Sequence, residues 1–329
     1  MQVIEINLAN QQTYADSNFP RVMECQESTA TLTDSVAWLT EHRESLLDQT
    51  RQSGAILFRG FPLRSPEDFD AFISAFGKEN FPYLESLSNA VRINKTARVF
   101  TANEAPPNVT IHLHHEMAQT PVFPTKLFFY CQKAAEQGGA TPLCRSDVLW
   151  EEIVKERPLF AHDCETKGLQ YSNVMPSTDD PASGMGRSWQ STLRARTREE
   201  AQDRLRGLGY SWTWENGDCL RATTPILPAV EDLGDDRKSF FNQLIAAFQG
   251  WKDERNDPSK AITFGDGAKL DRVDVDWVTR RANELCFDVP WQAGDVALVD
   301  NMVVMHGRRT FSGTRQVLAS LVEARRRFH

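Results

Sequence analysis

Two short stretches constrain this chain most: TIHLHHEM at 110–117 and MVVMHGRRTF at 302–311. Both read as extended backbone, and each carries histidine. The first alternates polar and apolar residues; the second lies between the apolar runs DVALVDN and RQVLASLVEA. Short apolar runs bounded by turn residues read as strands of a buried sheet. KLFFYC at 126–131 and GGATPL at 138–143 extend the pattern, and Asn216-Gly217 supplies a hairpin turn between two further runs. RVFTANEAPP is expected to be a strand running into a Pro-rich turn.

Helices are expected only before and between these strands. Val36, Leu39, Leu46 and Leu47 mark an amphipathic helix over 34–47. Ser65, Pro66 and Asp68 form a start signal ahead of Phe69, Phe72, Ile73 and Phe76, with Gly77 as the stop. Ser146 opens a third helix, and residues 239–248 and 274–285 read as two more. Residues 251–272 read as polar and turn-rich. Neither an alternating βαβ order nor a GxGxxG fingerprint occurs. The expected fold is mainly β with helical decoration (α+β), around a double-stranded β-helix, or jelly-roll, core. With no Pro/Gly/Ser linker, residues 1–329 are expected to form a single domain.

Composition narrows the partners. Hydrophobic residues make up 40% and charged residues 25%, as in a soluble globular protein. A net charge of -8 and a pI near 5.5 argue against general attraction to nucleic acid or anionic membrane. The basic ARRRF near the end reads as a solvated tail. No signal peptide and no membrane-spanning apolar run is evident. Six scattered cysteines without a CxxC pair read as free thiols, and a reducing cytoplasm is the expected compartment.

On a strand, residues two apart share a face, so His114 and Glu116 can grip one metal while His115 points away; His112 shares the phase of His114. Taken alone, His-x-Glu is weak and fits a polar strand with surface histidines. A distant histidine, His306, completes a two-histidine, one-carboxylate set. That set suits Fe(II) with positions left open for a co-substrate and O₂. Arg315 opens an apolar strand, where a buried cation needs an anion: a dicarboxylate co-substrate, or an acidic residue of the chain in a structural salt bridge. A metal-dependent hydrolase or isomerase, or a non-enzymatic jelly-roll binding protein, would be the alternatives.

These residues resemble the TauD/TfdA group of Fe(II)- and 2-oxoglutarate-dependent dioxygenases, near its clavaminate-synthase-like members. The resemblance rests on GAILFRGF with the Phe-rich helix after it, HHEM, GGATPL, and WQAGDVALVDNMVVMHGRRTFSGTR, in that order. It implies that His114, Glu116 and His306 bind iron, that Arg315 holds the distal carboxylate of 2-oxoglutarate, and that Thr141 bonds the same co-substrate beside the Gly138-Gly139 turn. It also implies a hydroxylase for an amino acid or related small molecule, free or presented on a carrier protein. Desaturation or epoxidation would use the same site. Glu116 stands where halogenating relatives have a small residue, which favours hydroxylation over chlorination. Ala319 stands where taurine- and aryloxyacetate-type members carry a second arginine, which argues against those substrates. For the substrate, Asn103 and Glu104 are candidates at the pocket mouth, and Arg187 and Trp189 on a Gly-flexed loop that either forms a lid or belongs to surface and core. Asn242 and Gln243 are read as a helix face rather than a pocket wall.

Overall fold

Alternation along the strands produces the layered architecture. In the computed structural model, residues 1–14, 17–83, 86–88, 90–102, 105–183, 185–234 and 236–327 are described. A seven-stranded sheet runs in the order Val3–Glu5, Arg21–Cys25, Ala55–Arg59, Val296–Asp300, Val122–Lys133, Gln316–Arg326, Phe100–Thr101. Its pairings are antiparallel except that of Arg21–Cys25 with Ala55–Arg59. A four-stranded antiparallel sheet runs Cys286–Val289, Thr141–Arg145, Val304–Arg308, Ile111–His114.

Odd and even residues of each strand serve different cores. Ala55, Leu57, Leu127, Phe129, Ala297 and Val299 join Leu143 and Val304 of the smaller sheet in one core between the sheets. Ile56, Phe58, Phe128, Tyr130, Val296 and Leu298 face outward under the helices Leu32–Ser53 and Pro66–Ser74. Cys144 and Met305, on the other face of the smaller sheet, pack with Ser146–Glu156, Pro158–Lys167, Leu244–Gly250 and Arg272–Glu284. Strands covered on both faces lose polar alternation and read as apolar runs. The observed fold is the mainly-β, helix-decorated jelly roll expected from the sequence.

Local signals account for most element boundaries. Ser65 and Asp68 make a reciprocal capping box, with Pro66 in the first turn. Thr31 and Asp34 make another. The helix they open runs to Ser53, beyond the expected stop at residue 47. Its later buried positions are Thr50 and Ser53, whose hydroxyls bond to Leu46 and Gln49 carbonyls, so the apolar pattern ends before the helix does. Asn216-Gly217 does turn the hairpin of Ser211–Trp214 with Leu220–Thr223.

Other expectations are corrected. Helix does not begin at residue 239: Ser239 ends the strand Arg237–Ser239, and the Asn242 side chain accepts from Leu244 N, delaying helix to Leu244–Gly250. Among the described residues of RVFTANEAPP, strand covers only Phe100–Thr101. The polar stretch 251–272 contains the strand Ile262–Phe264, paired with Leu169–Met175. The basic end is not wholly a solvated tail. Arg327 is buried against Glu231, Phe123 and Phe241. All six cysteines are free thiols, four of them buried. No helix among the described residues is long and apolar enough to cross a membrane.

Candidate metal centre

Strand register brings the two distant sequence halves together. His306 pairs directly opposite His114, and Leu143 pairs with His306 from the other side. The two imidazole rings are 4.4 Å apart between centroids. Glu116 arrives differently from the sequence expectation. The strand ends at His114, so Glu116 is not its strand-face neighbour; it lies in the turn that follows, where Met117 has φ 59°. Asn301 fixes that turn. Its Oδ1 accepts from Glu116 N at 2.8 Å, and its Nδ2 donates to Glu116 O at 3.0 Å and Pro124 O at 2.7 Å. His115 points the opposite way, buried between the Asn301 carbonyl and Ser146 Oγ; burial pushes its pKa down to about 3.

The donor set is prepared for a cation. One donor atom each from His114, Glu116 and His306 lies within 4.8 Å of the others, the one such cluster among the described residues. Burial, then the His306 ring, pushes His114 down to about 4, so it is neutral at pH 7. Its Nδ1 donates to the His112 carbonyl at 2.8 Å, which leaves Nε2 as the lone-pair nitrogen. Burial alone would raise the Glu116 carboxyl. Arg92, with Nη2 3.2 Å from both oxygens, and His306, with Nε2 3.6 Å away, outweigh burial and hold the group well below the usual carboxylate range. His306 Nδ1 is buried with no partner. Two imidazoles and one ionised carboxylate, with donor atoms within 4.8 Å of one another, fit a divalent iron with open positions.

Beside the triad lies a cleft bounded by Phe129, Thr141, Arg315 and Val317. Arg315 donates from Nε to Gly139 O at 2.8 Å and from Nη2 to Thr141 Oγ1 at 3.3 Å; Trp291 Nε1 donates to the same hydroxyl at 3.0 Å. Burial, then the nearby Arg308, pushes the Arg315 pKa down to about 10. Among the described residues no carboxylate lies within salt-bridge distance of it, so the alternative of a structural salt bridge is not what forms. Gly139 has φ 72°, and a Cβ there would sit 3.0 Å from Arg315 Cδ. The glycine turn therefore both bends the chain and leaves room for the guanidinium.

On the other side of the triad opens a cavity of about 490 Å³, with His112, His114 and Glu116 on its wall, joined by Arg92, Gln119 and Gln243. Arg92 escaped the sequence reading. Its guanidinium packs against the adjacent Tyr83 and Phe100 rings, 4.7 and 5.3 Å from their centroids. Gln243, read as a helix face, is instead a pocket-wall residue that donates to the His115 carbonyl at 3.1 Å. Asn242 is buried and donates to Ala229 O. Arg187 is not on an open lid. Its guanidinium is buried and donates to Ser86, Ser88 and Ser191. Trp189 packs edge-on against Trp214 and donates to Asp218 O, in a core away from the cavity. Asn103 and Glu104 lie outside the described residues. Ala319 is buried in the core between the sheets and brings no second cation to the cleft.

Comparison with known proteins gives a consistent picture. A family model described as "Taurine catabolism dioxygenase TauD, TfdA family" matches residues 18–321. A clavaminate synthase-like protein of Arabidopsis thaliana is 41% identical, covering 97% of this chain and 98% of its own. The dapdiamide synthesis protein DdaC of Enterobacter agglomerans is 29% identical over 83% of each. Among solved structures, AAD-2 in complex with Mn(II) and N-oxalylglycine superposes with a TM-score of 0.51 at 14% identity, covering 98% of this chain and 97% of that one.

Proposed function

The chain belongs to the TauD/TfdA family of dioxygenases, and from that premise we propose that it hydroxylates an unactivated C–H bond of an amino acid or related small molecule. It is an iron- and 2-oxoglutarate-dependent enzyme, and its substrate is either free or carried as an acyl group on a partner protein. The observation that carries the reading is a triad able to hold a metal ion beside a half-buried arginine that lacks a carboxylate partner among the described residues. A non-oxidative metal enzyme would leave that arginine without a task.

In this reading His114, Glu116 and His306 hold the iron, and Arg315 with Thr141 hold the distal carboxylate of 2-oxoglutarate. Bound iron, with 2-oxoglutarate and O₂, supplies the oxidising chemistry, and the co-substrate leaves as succinate and CO₂. The protein supplies position. Asn301 fixes the backbone of Glu116, the His112 carbonyl fixes the ring of His114, and Gly139 leaves space for Arg315. The apolar walls of Phe129 and Val317 keep water from the co-substrate cleft. Glu116 occupies the place a halide would need, which favours hydroxylation. Residues 1–329 act as one domain, and the free thiols suit a cytoplasmic setting.

The test is succinate formation coupled to a substrate mass gain of one oxygen, in the presence of Fe(II), 2-oxoglutarate and O₂. His306→Ala is expected to lose at least about 100-fold in coupled turnover, since it removes a first ligand. Full turnover by that variant would refute the site.

A further inference from the structure

Two polar side chains of the large cavity are not among the proposed ligands of iron or 2-oxoglutarate. Arg92 bonds to Glu116 through Nη2, but its Nε is buried without an acceptor. Gln119, three residues past Glu116, is only 6% exposed. Its side chain makes no hydrogen bond with any described residue, and Oε1 is among the buried atoms left without a donor. Proteins rarely leave a buried donor and a buried acceptor unpaired around one cavity unless a ligand completes them.

Charge balance points the same way, and rests on the reading above. Without metal, Arg92 and Glu116 neutralise one another. A ferrous ion bound to Glu116 adds two positive charges, and 2-oxoglutarate brings two negative ones. Those two negatives also face Arg315 and the buried Arg308, so positive charge is left over. Arg92 is the cation of the set that lines the open cavity. A buried guanidinium whose carboxylate partner is taken up by a metal is costly, and a ligand carboxylate set against it relieves that cost.

We propose that Arg92 and Gln119 form the head-group subsite of the substrate, for an α-amino acid with both charges free. Its carboxylate accepts from the Arg92 guanidinium, and its ammonium donates to Gln119 Oε1. A donor side chain and an acceptor side chain lining one cavity suit a head group that carries both charges. An aminoacyl thioester on a carrier protein has given up that carboxylate and does not satisfy the site.

The test uses full-length enzyme loaded anaerobically with Fe(II) and 2-oxoglutarate, read through the visible absorption band of the chelated keto acid. The probes are the free proteinogenic amino acids, each followed by its primary carboxamide and its N-acetyl derivative. At least one amino acid is expected to perturb the band without abolishing it. Its carboxamide and N-acetyl forms should bind at least about tenfold more weakly, the loss of one charge-assisted bond. In Gln119→Leu the band should form as in the parent, the amino acid should bind about tenfold more weakly, and the preference over the N-acetyl form should collapse. Arg92→Lys, with iron affinity measured separately because Arg92 also touches Glu116, should retain part of the preference for acid over carboxamide, and Arg92→Met should lose it. The proposal is overturned if no amino acid perturbs the band, or if acid and carboxamide bind alike. It is equally overturned if Gln119→Leu keeps the N-acetyl discrimination, or if the amino acid acts by displacing 2-oxoglutarate. Failure of the band to form at all in the parent enzyme would instead remove the iron and 2-oxoglutarate reading, and this inference with it.

Discussion

Asn301 does more for the proposed metal centre than its place in an apolar run suggests. Its side chain satisfies both the N–H and the C=O of Glu116 and ties them to Pro124, so the carboxylate leaves a fixed backbone. Asn301→Ala removes three bonds at a fully buried position and leaves their partners unpaired. The expected result is a loss of about 2–3 kcal/mol in stability and of about 10–100-fold in metal affinity. Titration of free Mn(II) by electron paramagnetic resonance would measure the second, and unaltered affinity would show that the turn holds Glu116 without this clamp. Histidines, a carboxylate and Arg315 were legible in the sequence because their chemistry is conspicuous. Asn301, Arg92 and Gln119 were not, because a hydrogen-bond partner or an ion-pair partner across the fold has no periodic signature.

At the scale of elements, the site depends on one strand pairing. Gly307 follows His306 where the Val304–Arg308 strand approaches Ile111–His114, and a Cβ there would lie 2.5 Å from the Ile111 carbonyl. Gly307→Ala must therefore push these strands apart, and the opposed imidazoles with them. The expected variant stays folded by circular dichroism but binds Mn(II) at least about tenfold more weakly, since ligand geometry tolerates little displacement. Parent-like affinity would mean that the pairing can yield without moving the ligands. Strands such as Ala55–Arg59 and Val296–Asp300 were legible because they are buried along their whole length and read as apolar runs. The helix Leu244–Gly250 was placed too early because Phe240 and Phe241 are apolar for a different reason: they are buried as extended chain ahead of the turn made by Asn242.

A second element-scale device joins the helices to the sheets. Asp147, in the first turn of Ser146–Glu156, is 4% exposed and pairs with Arg145 and Arg237; those arginines also bond the carbonyls of Ser53 and Arg51 at the end of the long helix. Burial opposes ionisation of Asp147, but its two arginines outweigh it and lower the carboxyl pKa. A depressed folded-state pKa gives stability that is present above the unfolded carboxyl value, about 4, and lost as pH falls through the lower folded value. Asp147→Asn is expected to cost about 3 kcal/mol at pH 7, because it strands two arginines. The gap from the parent should stay constant from pH 7 to 5 and begin to close only below about 4. Thermal unfolding across that range measures it, and a gap that closed already by pH 6 would assign the pH dependence to another group.

Across the whole molecule, the proposed centre is held by segments far apart in the chain. His114 and His306 meet only because the smaller sheet closes, and Arg315 reaches the same cleft only because Gln316–Arg326 pairs along Val122–Lys133 in the larger one. A ligand bridging these segments binds the folded chain and has little affinity for the unfolded one, where its donors are scattered. Folding and binding are then linked, with a stabilisation that grows as the logarithm of ligand excess, about 2.7 kcal/mol at a hundredfold excess over Kd. For a chain of 329 residues that corresponds to a rise in Tm of roughly 3–6 °C. Anaerobic Fe(II) with 2-oxoglutarate should produce this rise in the parent, and Arg315→Leu should respond to Fe(II) while losing the increment from 2-oxoglutarate. His306→Ala should respond to neither. An equal rise with 2-oxoglutarate in Arg315→Leu would separate the arginine from the co-substrate, and an equal rise with Fe(II) in His306→Ala would mean that the closing of the smaller sheet does not build the metal site.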